Sequence, residues 1–407
     1  MNSARAAFLA AAALLLSGCA HTAADLGKSA GYPVCDVRAI GRDERCLVGT
    51  LSHFDAKLPS RVVAKADAPR ALKRAPAEPA LDYAFRGAPG RNIDLFLADS
   101  RNTGLLVMRG DTILAERYKY DRKPSDRFQS YSMAKTVVAM LFGIALNEGK
   151  ISSIDDLAAK YVPALKDHVY GQTSLRHLLT MSSGVRFSEE YSGQDDVAIL
   201  ARRTLLQQGP GGADAVMPFT QREVAPGTRF KYASGETEVL GLVVRAAVGR
   251  PLAEYLSEKI WKPMGAEADA TWMIDAGGNE LGYMGLNATL RDWGRLGMLL
   301  ANYGALDGKQ IIPAAWVKAA TTPESPHLQV GVATKFNGYG YQTWVIRRDM
   351  PYFALLGVRG QAVMVDPVTK TVVVHTAVHN VSAGDPLRGE QFALFFGAVN
   401  HAKKAAP

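Results

Sequence analysis

Cysteine is scarce in this chain, because the 407 residues contain only Cys19, Cys35 and Cys46. The spaced cysteine pairs that usually hold structural zinc are therefore missing. The eight histidines include no pair with the spacing of a metal site on a helix. We accordingly expect neither a metal ion nor a cofactor in this protein.

A concentrated basic surface is also missing. The formal net charge is +8, but lysine and arginine are scattered along the chain. Nucleic-acid-binding proteins usually gather such residues into stripes, often with aromatic side chains between them. We therefore expect no nucleic-acid partner, and a mildly basic surface is compatible with anionic lipid headgroups.

Long hydrophobic runs are absent beyond the first residues. The stretch 6–16 is apolar, follows a short basic start and precedes Leu16-Ser17-Gly18-Cys19. Its length is typical of a secretory signal and too short to span a bilayer. The residues around Cys19 resemble a bacterial lipobox, in which the signal is cleaved and the cysteine thiol carries lipid. An ordinary signal peptide with a chance cysteine is the alternative.

The expected layout of the N-terminal part follows from this signal. Residues 1–18 are predicted to be a signal peptide, and residues 19–31 a small, polar tether anchored by lipid at Cys19. The membrane is then a partner through the anchor. The expected location is the bacterial cell envelope, with the protein on the outer membrane and facing the periplasm.

The two remaining cysteines lie in a predicted N-terminal extension, residues 32–94. An exported chain enters an oxidising compartment, where a close pair such as Cys35 and Cys46 usually forms a disulfide. Metal binding is the alternative, although His53 is the only further ligand nearby. The disulfide is the favoured interpretation.

Strand patterns lie at both ends of the rest of the chain. Residues 103–109 and 112–118 flank a Gly110-Asp111 turn that is typical of a hairpin. Further strands are predicted at 341–347, 352–356, 361–365 and 371–377. Residues from about 153 to 280 have mostly helical patterns. We therefore predict an α+β fold, with an antiparallel sheet flanked by helices and an inserted all-α subdomain.

The first chemical motif is Ser132-Met133-Ala134-Lys135, at the start of a helix predicted over 132–148. Residues three apart share a helix face, so Lys135 can direct its amine at Ser132. A serine nucleophile needs such a base, and burial can lower the pKa of a lysine enough to supply one. The Ser132 N–H is available to an oxyanion. Alone, the motif is weak, since about one Ser-x-x-Lys is expected by chance.

A second motif, Tyr232-Ala233-Ser234, precedes a helix predicted over 236–248. A phenol beside an ammonium can titrate low enough to transfer a proton between nucleophile and leaving group. Ser234 is a candidate to orient substrate or to bond Lys135. A tyrosine packed at a helix entrance is the alternative interpretation.

A third motif, Gly357-Val358-Arg359-Gly360-Gln361, leads into a predicted strand. Glycines permit close backbone approach, which makes the Gln361 N–H a candidate for the second oxyanion donor. A tight turn without a catalytic role is the alternative.

Together these motifs resemble the serine β-lactamase and penicillin-binding-protein superfamily. Supporting segments are 173–184 (TSLRHLLTMSSG), 225–232 (APGTRFKY) and 285–297 (GLNATLRDWGRLG). Within the superfamily, the chain looks like the class C-related branch that includes 6-aminohexanoate-dimer hydrolase and carboxylesterases. The resemblance implies a β-lactamase-like serine hydrolase domain over residues 95–403, with a helical insertion at about 153–280.

The resemblance also implies roles for individual residues. Ser132 would be the acylated nucleophile, and Lys135 and Tyr232 the pair that transfers its proton. The amides of Ser132 and Gln361 would form the oxyanion hole. Ser234, Arg359, Gly360, Tyr339 and Trp344 are the candidate substrate-binding residues.

Two positions depart from the β-lactamases of this branch. Ser234 replaces an asparagine, and Val358-Arg359-Gly360 replaces Lys-Thr-Gly, so a lysine and a hydroxyl that hold a β-lactam carboxylate are absent. We therefore expect hydrolysis of small esters or amides through an acyl-enzyme. A D-alanyl carboxypeptidase or weak β-lactamase is the first alternative. A non-catalytic envelope lipoprotein that acts as a binding module is an alternative of another class.

Three other signals carry less weight. Gly27-Lys28-Ser29-Ala30-Gly31 matches a nucleophile-elbow pattern but lacks the strand and helix that this motif requires. His375 and His379 fall on one side of a predicted strand, which leaves a serine–histidine pair as a minor alternative. His177 has the pattern of a packed structural residue.

Replacing Cys19 tests the anchor. The Cys19→Ser variant should incorporate no palmitate and should leave the membrane fraction, because it lacks the thiol that carries the lipid. Metabolic labelling and cell fractionation measure both effects. A wild-type protein that takes up no label and fractionates as soluble would contradict the lipobox interpretation.

Overall fold

The structure is a computed structural model that describes residues 31–36, 43–52, 54–98, 101–379 and 387–404. The predicted signal peptide, nearly all of the tether, and Cys19 lie outside these ranges, as does His53. Within them, no helix has both the length and the apolar character needed to cross a membrane.

The helices of the described residues are α1 (Glu44–Ser52), α2 (Ile93–Ala98), α3 (Met133–Asn147), α4 (Leu175–Leu179), α5 (Asp196–Arg203), α6 (Ser234–Val248), α7 (Leu252–Leu256), α8 (Leu290–Ala301), α9 (Ala314–Ala320) and α10 (Arg388–Lys404). The strands are β1 (Ser60–Val63), β2 (Lys73–Arg74), β3 (Tyr83–Phe85), β4 (Ala88–Arg91), β5 (Asn102–Arg109), β6 (Thr112–Tyr118), β7 (Arg127–Gln129), β8 (Ala270–Met273), β9 (Leu286–Thr289), β10 (Ala305–Leu306), β11 (Lys309–Gln310), β12 (Gly338–Tyr339), β13 (Trp344–Val345), β14 (Phe353–Gly357), β15 (Gln361–Asp366) and β16 (Thr371–Ala377).

The main sheet joins strands from distant parts of the chain, in the order β12-β13-β14-β15-β16-β5-β6-β2. Its pairs are antiparallel apart from β2, which runs parallel to β6. Helices and short 3₁₀ turns occupy much of the chain between β6 and β12. The α+β prediction is confirmed.

Side chains of β5 alternate between the two faces of the main sheet, as the strand period requires. Leu105 and Val107 belong to a hydrophobic cluster with Phe96 of α2 and Phe395 of α10. Leu106 and Met108 belong to the larger core, which lies on the side of α8. Both faces of the sheet are therefore covered by helices.

Helix α3, which carries the Ser132/Lys135 motif, is buried from Met133 to Ala145. The helix is held against α9 by Trp316, which donates its indole N–H to the carbonyl of Ala139 at 2.8 Å. A Cβ on Gly143 would lie only 2.1 Å from the Trp316 ring. Glycine is therefore required where the two helices cross, and this close packing holds α3 in place.

A second sheet, with the order β1-β8-β9-β7, corrects the expected extent of the helical insertion. Strand β8 lies within residues 153–280, which were predicted to be mostly helical. All four of its residues are buried. A fully buried strand shows no alternation of apolar and polar residues, so its pattern does not separate it from a helix.

The N-terminal extension contributes to both sheets. Strand β1 pairs with β8, and β2 pairs with β6. Cys35 and Cys46 form a disulfide with a Cα–Cα distance of 5.4 Å, which ties the described segment 31–36 to α1. Val48 and Leu51 of α1 pack into the larger core.

Candidate active site

Ser132 occupies the turn between β7 and α3, at the N-terminal end of the helix. The residue before it, Tyr131, has a φ of 44°, a left-handed conformation that reverses the chain direction at this point. The side chain of Ser132 makes no capping bond to its own helix. Its hydroxyl is therefore available to other side chains.

Lys135 is the central group of the site and is 1 % exposed. Its Nζ lies 2.8 Å from Ser132 Oγ, 3.0 Å from Ser234 Oγ and 3.2 Å from the carbonyl oxygen of Tyr283. Three acceptors thus surround the three possible protons of an ammonium. The predicted contact between Lys135 and Ser132 is present.

The directions of these hydrogen bonds define what a neutral Lys135 can do. The Tyr283 carbonyl can only accept a proton. Ser234 donates its single hydroxyl proton to Glu189 Oε1 at 2.9 Å, so it too can only accept from Lys135. The two protons of the neutral amine are then engaged, and its lone pair faces Ser132 Oγ. This is the arrangement that a general base for Ser132 requires.

Burial lowers the pKa of Lys135 to about 8, while the carboxylates of Glu189 and Glu238 act in the opposite direction. A free lysine would be almost fully charged at neutral pH. Because its pKa is lowered, Lys135 has a sizeable neutral fraction near pH 8. The neutral fraction grows as the pH rises, so activity that depends on this base should rise over the same range.

Tyr232 is held by an aromatic cluster, defined here as Phe230, Tyr232, Tyr339 and Trp344. Its ring stacks on Trp344 at a centroid distance of 5.3 Å and meets Tyr339 edge-on at 6.2 Å. Phe230 packs against both neighbours. The ring lies 4.9 Å from Lys135 Nζ, and the hydroxyl forms a hydrogen bond with Ser132. The structure thus brings Ser132, Lys135 and Tyr232 together.

The pKa of Tyr232 differs in direction from the sequence-based expectation. Burial raises the pKa of the phenol, and the Glu189 carboxylate adds to the rise, against the hydrogen bond with Ser132. The sequence motif predicts instead that Lys135 lowers the pKa of Tyr232. Desolvation of the phenol is the largest contribution and determines the direction of the shift. Tyr232 therefore stays protonated at neutral pH and is able to donate that proton.

Glu189 is a residue of the site that sequence reasoning missed. Its carboxylate accepts hydrogen bonds from the Ser234 N–H at 2.7 Å and from the Ser234 hydroxyl, and also from Tyr191 at 3.0 Å. It lies in a loop without periodic pattern, more than forty residues before its partner. No local signal in the sequence links the two positions.

The turn between β14 and β15 lies beside the nucleophile. A Cβ on Gly357 would be 2.5 Å from the carbonyl oxygen of Ser130. Gln361 pairs with Gly357 in the sheet register, and its side chain donates to the Ala377 carbonyl at 2.6 Å. The side chain of Gln361 therefore braces the turn. Its proposed N–H contribution to an oxyanion hole stays a prediction.

The other candidate substrate-binding residues have structural contacts. Arg359 donates to the His379 carbonyl at 3.0 Å and forms a hydrogen bond with Tyr131. A Cβ on Gly360 would lie 2.8 Å from that of Ala377. Tyr339 is 1 % exposed within the aromatic cluster, whereas Trp344 is partly exposed. Trp344 thus remains the better placed of the two aromatic residues to meet a substrate.

His375 and His177 occupy structural positions. His375 is fully buried, with its ring nitrogens bonded to Asn102 and to Gln391. His177 bonds Ser174, the capping residue of α4. Among the described residues, no group of three or more potential ligands is suited to a metal ion.

Comparison with known proteins places this site in a family. The family model for β-lactamase matches residues 91–394. The chain is 27 % identical over 364 residues to the 6-aminohexanoate-dimer hydrolase of Paenarthrobacter ureafaciens, a match covering 87 % of this chain and 90 % of that protein. The chain therefore belongs to the β-lactamase family, and it is a hydrolase of the serine type.

Solved structures show the same fold. The "Putative 6-aminohexanoate-dimer hydrolase from Bacillus anthracis" superimposes with a TM-score of 0.80 at 24 % identity, covering 90 % of this chain and 96 % of that one. The D-stereospecific amidohydrolase from Streptomyces sp. has a TM-score of 0.53 at 16 % identity, covering 72 % and 94 %. Both likenesses agree with the predicted β-lactamase-like architecture.

Removing the Tyr232 hydroxyl tests its role as proton donor. Tyr232→Phe should lower kcat by about 100-fold or more with little change in KM, because the hydroxyl acts on a proton in transfer. Steady-state kinetics on a p-nitrophenyl ester measure both constants. Tyr339→Phe, in the same aromatic cluster, is the matched control and should retain kcat. Equal kcat values for the two variants would contradict the assignment.

Proposed function

We propose that this protein hydrolyses small ester or amide substrates through an acyl-enzyme on Ser132. The observation that carries the proposal is the position of Lys135 Nζ, which lies within hydrogen-bonding distance of Ser132 Oγ, Ser234 Oγ and the Tyr283 carbonyl. In the neutral amine, Ser234 and Tyr283 would take the two protons, which leaves the lone pair directed at Ser132 Oγ. A serine that lies 2.8 Å from a buried amine with a pKa lowered to about 8 is an activated nucleophile.

The proposed reaction begins when Ser132 Oγ attacks the substrate carbonyl carbon and its proton passes to Lys135. The negative charge that develops on the carbonyl oxygen is stabilised at the N-terminal end of α3, where the Ser132 N–H is available. Tyr232 gives its proton to the departing alcohol or amine and regains one from Lys135. Water then attacks the acyl carbon and gives a proton to the same groups. The bond between the acyl carbon and Ser132 Oγ breaks, and these groups return a proton to Ser132.

The substrate class draws support from two sources. The relative from Paenarthrobacter is named for hydrolysis of the 6-aminohexanoate dimer, and the structural neighbour from Streptomyces is named an amidohydrolase. The residues of this chain also disfavour β-lactams. Arg359, the only cation in Val358-Arg359-Gly360, has its guanidinium engaged by His379 and Tyr131. Its charge is therefore poorly placed to hold a substrate carboxylate.

The alternative of a non-catalytic binding module fits this site less well. A binding protein has no need of a desolvated lysine in contact with a serine hydroxyl, because burying such a group costs free energy. We further propose that the enzyme is anchored by lipid at Cys19 and faces the periplasm. This location rests on the sequence around Cys19.

A comparison of substrates tests the proposed class. The kcat/KM for short-chain p-nitrophenyl esters should exceed that for cephalosporins by about two orders of magnitude or more, because the guanidinium of Arg359, the cation at the Lys-Thr-Gly position, is engaged by His379 and Tyr131. Chromogenic assays of both substrates with one enzyme preparation measure the ratio. Ser132→Ala is the control and should abolish turnover of both. Comparable kcat/KM values would favour β-lactamase activity instead.

A further inference from the structure

Helix α6 carries two buried glutamates, Glu236 and Glu238, each 1 % exposed. Residues two apart on a helix point in different directions, and these two have separate partners. Glu236 accepts hydrogen bonds from the hydroxyl of Ser183 at 2.6 Å and from its N–H. Glu238 instead contacts the segment that leads to Tyr283. The two form a natural pair for comparison, since only Glu238 faces the surroundings of Lys135.

The carboxylate of Glu238 holds the backbone that in turn contacts Lys135. Its Oε2 accepts a hydrogen bond from the Gly282 N–H at 2.9 Å, and the Tyr283 N–H adds another. The carbonyl of Tyr283 accepts a proton of Lys135. A Cβ on Gly282 would be 2.6 Å from the Thr237 carbonyl oxygen, so this segment lies directly against α6. Glu238 is thus one step removed from the catalytic base.

The charge of Glu238 is coupled to that of Lys135. Burial raises the pKa of Glu238 to about 8, with the Asp275 carboxylate adding to the rise and the backbone N–H groups of Gly282 and Tyr283 and the Lys135 charge opposing it. Its Oε1 has no hydrogen-bond partner in the part of the chain that the structure describes. The same holds for Oε2 of Glu236, so the unpaired oxygen does not separate the two glutamates. What separates them is that only Glu238 accepts hydrogen bonds from the Gly282–Tyr283 backbone.

We propose that Glu238 is a positioning residue for Lys135. Its carboxylate fixes the Gly282–Tyr283 backbone, so that the Tyr283 carbonyl engages one amine proton and the lone pair stays on Ser132 Oγ. Where Glu238 is ionised, its negative charge also favours the ammonium that Lys135 becomes when Ser132 attacks. The proposal rests on the proposed function, in which Ser132 is acylated with Lys135 as base.

Two substitutions of Glu238 separate the effect of side-chain length from the effect of charge. Glu238→Gln retains the length of the side chain but removes its charge, whereas Glu238→Asp retains the charge but is too short to hold the Gly282 N–H. Glu236→Gln and Glu236→Asp are the matched controls, on the same helix and equally buried. The measurement is the second-order rate constant for labelling of Ser132 by a fluorophosphonate between pH 6 and 10. Thermal melting of each variant monitors folding.

The proposal makes a different prediction for each variant. Without the negative charge, the Lys135 ammonium is less stable, so Glu238→Gln should shift the acidic limb of the profile to lower pH by about half a unit or more. Its plateau rate should also fall, by about tenfold. Glu238→Asp should lower the plateau about tenfold with a smaller shift, because the lone pair is no longer held on Ser132. Both Glu236 variants should follow the wild-type profile.

The outcomes distinguish this inference from the proposed function. If the wild type is labelled and the Glu238 variants match the Glu236 variants in rate and pH profile, the role proposed for Glu238 is wrong. The proposed function is not affected by that result. Wild type without label at Ser132 would overturn the proposed function, and the inference with it. If Glu238→Gln does not fold, Glu238→Asp decides, since a purely structural role would change its melting temperature but leave the plateau rate of the folded protein unchanged.

Discussion

The structure depends on keeping one lysine ammonium away from water. Lys135 lies on a helix that is buried from Met133 to Ala145, and the cost of desolvating its charge is what lowers its pKa to about 8. Trp316, packed against Gly143, holds that helix in the core. The aromatic cluster closes the site beside Tyr232. Much of the surrounding fold therefore keeps water away from the Lys135 amine.

Desolvation alone would not fix the direction in which the Lys135 amine points. Two carboxylates fix it by arranging the acceptors around the amine. Glu189 takes the proton of Ser234 and so makes that hydroxyl an acceptor for Lys135. Glu238 accepts hydrogen bonds from the N–H groups of Gly282 and Tyr283, and the carbonyl of Tyr283 is the other acceptor for Lys135. Both charges also favour the ammonium, which limits how far its pKa falls. Geometry and charge at Lys135 are set by the same groups.

Local features were predictable from the sequence, whereas contacts between distant segments were not. The Ser132–Lys135 contact follows from the spacing of residues on a helix, and the hairpin of β5 and β6 from its turn residues. Glu189 gave no signal, because its relation to Ser234 exists only once the chain has folded. The segment that forms β8 was predicted to be helical, because a fully buried strand shows no alternation of apolar and polar residues. The rise in the pKa of Tyr232 depends on burial, which a tripeptide motif does not reveal.

The central claim is that a buried, neutral lysine activates Ser132. The most direct measurement is the pH dependence of fluorophosphonate labelling, with the modified residue located by mass spectrometry. The label should be found on Ser132, and the rate should rise with pH through an apparent pKa near 8, the value to which burial lowers that of Lys135. Lys135→Met should remove this titration along with most of the rate. Label on another residue, or a rate that titrates near pH 6.5 as for a histidine, would contradict the account.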